Sequence, residues 1–181
     1  MDALASLPDF MRGEFLTSNT LPWQIIVVRV AGAVLFCGLV GFEREVDQRP
    51  AGLRTHILVG LASCVYCIVA LEMFEDVTQR TDTPPADPIR VVEAVTAGVA
   101  FLAAGLVVFT RGRMRGLKTG ATMWLSAAIG VSCGVGLWLL AVLTTVAALV
   151  VIVAIRAVER KAGTYMPGHA GDSADSGRDE R

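Results

Sequence analysis

The chain has 181 residues, 54% of them hydrophobic and 18% charged, with a formal net charge of −1 and a mean hydropathy of +0.58. The charges stand in short clusters between long apolar blocks, which excludes an ordinary soluble domain and marks a membrane protein; no nucleic-acid partner is expected. A hydrocarbon core of roughly 30 Å takes ~20 apolar residues of helix to cross, and several blocks reach that length.

Residues 1–21 carry Asp2, Asp9 and Glu14 against Arg12 and have no basic start or continuous apolar run, so no cleavable signal is evident. They are expected to form an extracytoplasmic segment ahead of a membrane domain over 22–160. The first predicted span is Gln24–Phe42, entered through Pro22 and Trp23, which suit a helix start and an interfacial anchor. Arg29 lies inside it, where a charge costs about 2.5 kcal/mol or more near the helix centre. It either snorkels outward or pairs with Glu93 or Glu72 on neighbouring helices.

The second span is Thr55–Phe74, followed by a Pro- and Asp-rich loop from Glu75 to Pro88 through which no helix is expected to continue. Cys64 and Cys67 share a helix face, but two ligands within hydrocarbon make a weak metal site, and small packing residues are the expected role. The third span runs from about Ile89 to Phe109, with Ala97, Ala104, Gly98 and Gly105 predicting a close helix contact. From Thr119 to Val158 one charge occurs, Arg156, and a single helix of that length would be about 60 Å long. A turn at Gly134 and Gly136 therefore divides it into a fourth span, from Thr119 to about Val135, and a fifth, from about Leu137 to Val158. Gly130 and Gly134 put small residues one turn apart on the fourth. Residues 161–181 read as a disordered polar tail.

Arg111, Arg113, Arg115 and Lys118 in one loop, with Arg156, Arg160 and Lys161 after the last span, place that side in the cytoplasm. The expected topology is an all-α membrane protein of five transmembrane helices, N-terminus out and C-terminus in.

One phrase occurs twice. Arg49, Gly52, Leu53, Arg54 and Thr55 match Arg113, Gly116, Leu117, Lys118 and Thr119 in the pattern R-x-x-G-L-[R/K]-T, and "GLV" at Gly38 recurs at Gly105. Each copy turns a hairpin on the same side, so the fold is two parallel-repeat hairpins plus a fifth helix. The Gly-Leu pair permits a tight turn, Thr55 or Thr119 is placed to cap the next helix, and the basic residue anchors the turn at the surface. Two helix N-termini beside cations would alternatively form an anion site. His56, one residue past the expected cap, reads as structural. There is no Ser/His/Asp set, metal-ligand cluster or phosphate loop, so neither an enzyme nor a cofactor is expected.

The stretch "GFEREVDQRPAGLRTHILVGLASC" resembles the signature of the MgtC/SapB family of bacterial inner-membrane proteins, a G-L-E-R-E run, a spacer, then R-P-A-G-L-R-T-H-x-L-V. Gly41, Glu43, Arg44, Glu45, Arg49, Pro50, Ala51, Gly52, Leu53, Arg54, Thr55 and His56 fill those positions. The resemblance continues through Met114 to Gly130 and covers about Arg29 to Arg160. Ala94, Ala100 and Ala103 stand where the family pattern has Gln, Gly and Gly, with Glu93 adjacent. Longer members add an ACT-like C-terminal domain, which is not expected here. The resemblance implies a role in magnesium homeostasis or adaptation to low magnesium. It points either to a regulator that binds another integral membrane protein or to a small transporter of magnesium or another ion; a homo-oligomer fits both.

Overall fold

A computed structural model of the chain describes residues 21–46, 51–80, 87–110 and 113–161. Five helices are present: α1 (Trp23–Val46), α2 (Leu53–Arg80), α3 (Ile89–Leu106), α4 (Leu117–Val135) and α5 (Trp138–Lys161). All of α1 and α3, Leu53–Glu75 of α2 and Trp138–Val158 of α5 are long and apolar enough to cross a membrane. The expected tail over 161–181 and the segment over 1–21 fall almost entirely outside the described residues.

Helix α4 sits in the middle and touches each of the other four. Its composition follows from that position. A helix surrounded by helices gains nothing from bulky apolar side chains facing lipid, and instead gains from small residues that let backbones approach. Gly120, Ser126, Ala127, Gly130, Ser132 and Gly134 of α4 are all buried. The closest approach is to α2: a Cβ on Gly130 would overlap the Gly60 carbonyl group, and one on Gly134 would stand 2.6 Å from the Cys64 carbonyl oxygen. Helices α2 and α4 run parallel, since His56 meets Thr122 near their starts and Cys64 meets Gly134 further along. Helix α1 flanks this pair on one side and α3 on the other, as the two-hairpin repeat requires. Cys37, Cys64, Ile129 and Cys133 fill the adjoining core with α1, and Cys37 Sγ donates to the Ser126 carbonyl at 3.3 Å.

The turn into α5 falls at Gly136, whose φ of 90° only glycine adopts readily. Its N–H donates to the Cys133 carbonyl at 3.0 Å and the Leu137 N–H to that of Ser132 at 2.8 Å, the pairing that closes a helix C-terminus on a left-handed residue.

Several boundaries differ from expectation. Helix α2 continues through Glu75 to Arg80, because the breakers Pro84 and Pro85 come later and the intervening polar residues tolerate helix once past the apolar block. Helix α3 ends at Leu106 rather than Phe109. The basic loop that follows is a small antiparallel hairpin, β1 (Val108–Thr110) with β2 (Arg113–Arg115), in the register Val108 to Arg115. The small stripe of α3 does not pack: Ala97, Gly98, Ala104 and Gly105 are exposed, Phe101 is 81% exposed, and Val95 and Val99 face the core instead. Neither Thr55 nor Thr119 is a cap. Helix α2 begins at Leu53 and α4 at Leu117 with Gly116 at its N-cap (φ 93°), which leaves both threonines inside the first turn.

Candidate functional site

The family-type residues converge at the end of the bundle where α1 finishes and α2 and α4 begin. Gly41 makes that convergence possible, since a Cβ there would lie 2.9 Å from both the His56 Cβ and the Leu53 Cα. Glu45 performs the capping expected of threonine: its Oε2 accepts the Leu53 N–H at 3.0 Å, satisfying one of the donors that open α2. A Cβ on Gly52 would overlap the same carboxylate, so a larger residue there would displace the Glu45 cap. A carboxylate from the preceding helix thus reaches across the turn, and Thr55 is not needed.

His56 is fully buried. Its Nδ1 stands 2.8 Å from the Gly52 carbonyl oxygen and its Nε2 3.1 Å from Thr122 Oγ1. A carbonyl only accepts, so Nδ1 carries a proton. Thr122 Oγ1 also lies 3.0 Å from the Thr119 carbonyl oxygen. When the imidazole is neutral the threonine hydroxyl donates to Nε2; when it is protonated, Nε2–H donates to Oγ1 and the hydroxyl turns to the Thr119 carbonyl. The ring therefore ties the first hairpin turn to the start of α4, with a hydrogen-bond partner for either proton state.

Charged groups surround this link. Arg156, near the end of α5, places Nη2 2.9 Å from Glu43 Oε1, and Arg44 places Nε 4.0 Å from Glu43 Oε2. Both the Glu43 and Arg44 side chains are about 10% exposed, so the ion pair is held in a poorly hydrated position. Such pairs earn their place chiefly by fixing geometry, because desolvation offsets much of the attraction. Here α1 is latched to the last helix. Lys118 and Arg54 are exposed nearby on their own first turns.

Not every expected residue joins the cluster. Arg49 and Pro50 lie outside the described residues. Glu93 is exposed on α3, which begins at the opposite end of the bundle. Arg29 is also at the opposite end, and its partner is a carbonyl: Nη1 donates to the Gly134 oxygen at 2.7 Å. That oxygen belongs to the last turn of α4, where carbonyls lack partners along the helix and the helix dipole favours a cation. Glu72 accepts the Leu21 N–H at 2.9 Å. Arg29→Met is accordingly expected to cost about 1.5–3 kcal/mol, the range of a charge-assisted hydrogen bond, while Glu93→Gln leaves stability unchanged. Thermal unfolding of the purified variants in detergent checks this; an equal loss in Glu93→Gln would contradict the carbonyl assignment.

Thr122 and the Glu43 partnership of Arg156 escape a reading of the motif alone. A polar residue one turn beyond Thr119 in an apolar span was the available signal for the first. The second had none, since 113 residues separate the ion-pair partners. Among the described residues no group of three or more His, Cys, Asp or Glu side chains could hold a metal ion.

Comparison with known proteins adds ancestry to this geometry. A family model described as MgtC family matches residues 30–161. YhiD of Escherichia coli (strain K12) is 36% identical over 126 residues, covering 70% of this chain and 58% of that protein. Protein MgtC of Brucella suis biovar 1 is 35% identical over 152 residues, covering 79% and 59% respectively. The chain thus spans less than two thirds of the length of these relatives. No solved structure matches.

Proposed function

Because the chain belongs to the MgtC family, we propose that it serves magnesium homeostasis or adaptation to low magnesium as a regulator that binds another integral membrane protein. It does so from the inner membrane, with its C-terminus in the cytoplasm. The Escherichia coli relative is named a candidate magnesium transporter, and transport of magnesium or another ion is the competing reading. The observation that favours regulation is the seam between α2 and α4. There the backbones touch at Gly60 and Gly130, and the space around them is filled by Cys37, Cys64, Ser126 and Ile129. A magnesium ion asks for octahedral oxygen, usually with carboxylates and retained water, and releases its hydration reluctantly. A close-packed seam of glycine, cysteine, aliphatic side chains and one serine offers it neither room nor a carboxylate.

The described carboxylates sit near the ends of the apolar spans, and the two in the cluster are engaged, Glu43 with Arg156 and Glu45 with the Leu53 N–H. The basic residues at the hairpin end support the cytoplasmic assignment of that end. Outward-facing apolar residues on α3 and α5, such as Phe101 and Leu139, leave ample surface for a partner's helices. Crosslinking in native membranes followed by pull-down is expected to recover one integral membrane protein in stoichiometric amount. Recovery of this chain alone, under conditions that capture a known membrane complex, would count against regulation through a partner.

A further inference from the structure

We propose that the cleft between α2 and α3 is the contact surface of a twofold dimer, in which α3 of a second copy of this chain lies in the cleft and Phe101 of each copy enters the cleft of the other. This inference is independent of whether the protein regulates or transports. The two-hairpin repeat exchanges α1 with α3 and α2 with α4, so the seam between α1 and α4 has its counterpart in the seam between α3 and α2. Helix α5 covers the first seam, in contact with both α1 and α4, and its buried Ala141, Thr145, Ala148 and Ile152 form one stripe. Among the described residues no helix covers the second. There α2 and α3 leave a cleft of about 640 Å³. It runs along α2 from Val59 to Met73, about 20 Å at ~1.5 Å per residue.

The exposed face of α3 differs from that of a helix facing lipid. On α5 the outward residues are bulky, among them Leu139, Val146 and Val150. On α3 only Val99 is buried, and Ala94, Ala97, Gly98, Ala104 and Gly105 are exposed. Small residues gain nothing against acyl chains but let helix backbones approach closely. Phe101 decides which helix comes. It is 81% exposed, and at ~100° per residue it stands beside Gly98 on the side away from Leu102, which faces the cleft with α2. Two copies insert into the membrane the same way, so a twofold axis stands along the membrane normal and sets each residue level with its own equivalent. Two α3 helices meeting at Ala94, Gly98 and Gly105 then carry Phe101 of each copy into the cleft of the other, near the level where Val59 and Val99 pack together. A protruding ring and an open cleft on one surface are the two halves of a self-complementary contact. An unrelated helix would use one half and leave the other unmet.

The test is photo-crosslinking in native membranes, with benzoylphenylalanine in place of Phe101 in the full chain and a differently tagged copy expressed beside it. The expected product is an adduct of twice the chain mass that carries both tags. Gly98→Leu adds a side chain where one copy alone has open space, and Ala62→Trp fills the cleft from an exposed position on its other wall. Each, introduced into both copies, should lower the adduct about tenfold or more, the worth of a central contact residue. Both variants should still elute from detergent extracts as a sharp peak, because neither substitution touches the interior of a single copy. Val150→Leu, exposed on α5, should leave the adduct unchanged. An adduct with a different polypeptide, crosslinking to lipid alone, or a double-tagged adduct that survives either cleft substitution would overturn the proposal.

Discussion

Gly130→Val should remove nearly all folded protein from the membrane. The added Cβ would overlap the Gly60 carbonyl, a backbone group that cannot rotate away as a side chain would. The helix behind it cannot retreat either, because α4 is in contact with all four of its neighbours. Overpacking a well-filled interior costs typically 1–3 kcal/mol and more when backbone must shift, so a loss of about 3 kcal/mol or more is expected. Gly98→Val is the matched control, since a Cβ there meets open space. Size-exclusion profiles of detergent extracts should show a sharp peak for the control and loss or aggregation for Gly130→Val. A normal profile for Gly130→Val would mean that the α2 to α4 contact is looser than described.

His56→Ala is the second large effect. It deletes a fully buried ring, leaves a cavity, and strands Thr122 without its side-chain partner. Large-to-small substitutions at such positions cost about 2–5 kcal/mol. Thr122→Val keeps the shape but not the hydroxyl, and alone should cost about 1–3 kcal/mol through the unmet imidazole nitrogen. Because the two residues share a hydrogen bond, the double variant should lose less than the sum of the single losses. Thermal unfolding in detergent gives all three values. Strict additivity would show that the ring and the hydroxyl do not communicate and that α2 and α4 are joined by backbone packing alone.

Much of the architecture was legible in the sequence because lipid imposes a simple rule on helix length and polarity. The spans of α1, α2, α3 and α5 follow from it, and the division of the last apolar block at Gly136 follows from the same arithmetic. The central place of α4 was not legible as such, because Thr122, Ser126 and Ser132 read as slightly polar interruptions when they are residues facing protein on every side. Small residues carried a signal without a direction. Gly130 and Gly134 mark the tightest backbone contact between helices, whereas Gly98 and Gly105 on α3, equally suggestive by spacing, have open space where a Cβ would stand.

The candidate site divides in the same way. The run from Gly41 to His56 drew attention by its density of polar residues, and the fold brings its described members together. What each does depends on partners that spacing does not reveal. Glu45 caps α2 from across the turn, Glu43 reaches a residue near the end of the last helix, and Arg29 is satisfied by a carbonyl 105 residues away. A carbonyl exposed by the end of a helix has no residue type to announce it, so an arginine inside an apolar span invites a search for a carboxylate.

The proposal that this chain regulates, and does not itself carry the ion, is tested most directly by magnesium flux. Purified protein reconstituted into liposomes loaded with a magnesium indicator should admit magnesium no faster than liposomes without protein, because the α2 to α4 seam offers no carboxylate and no room. Sustained influx above that background, abolished in Glu43→Gln or Glu93→Gln, would contradict the regulator and identify a transporter.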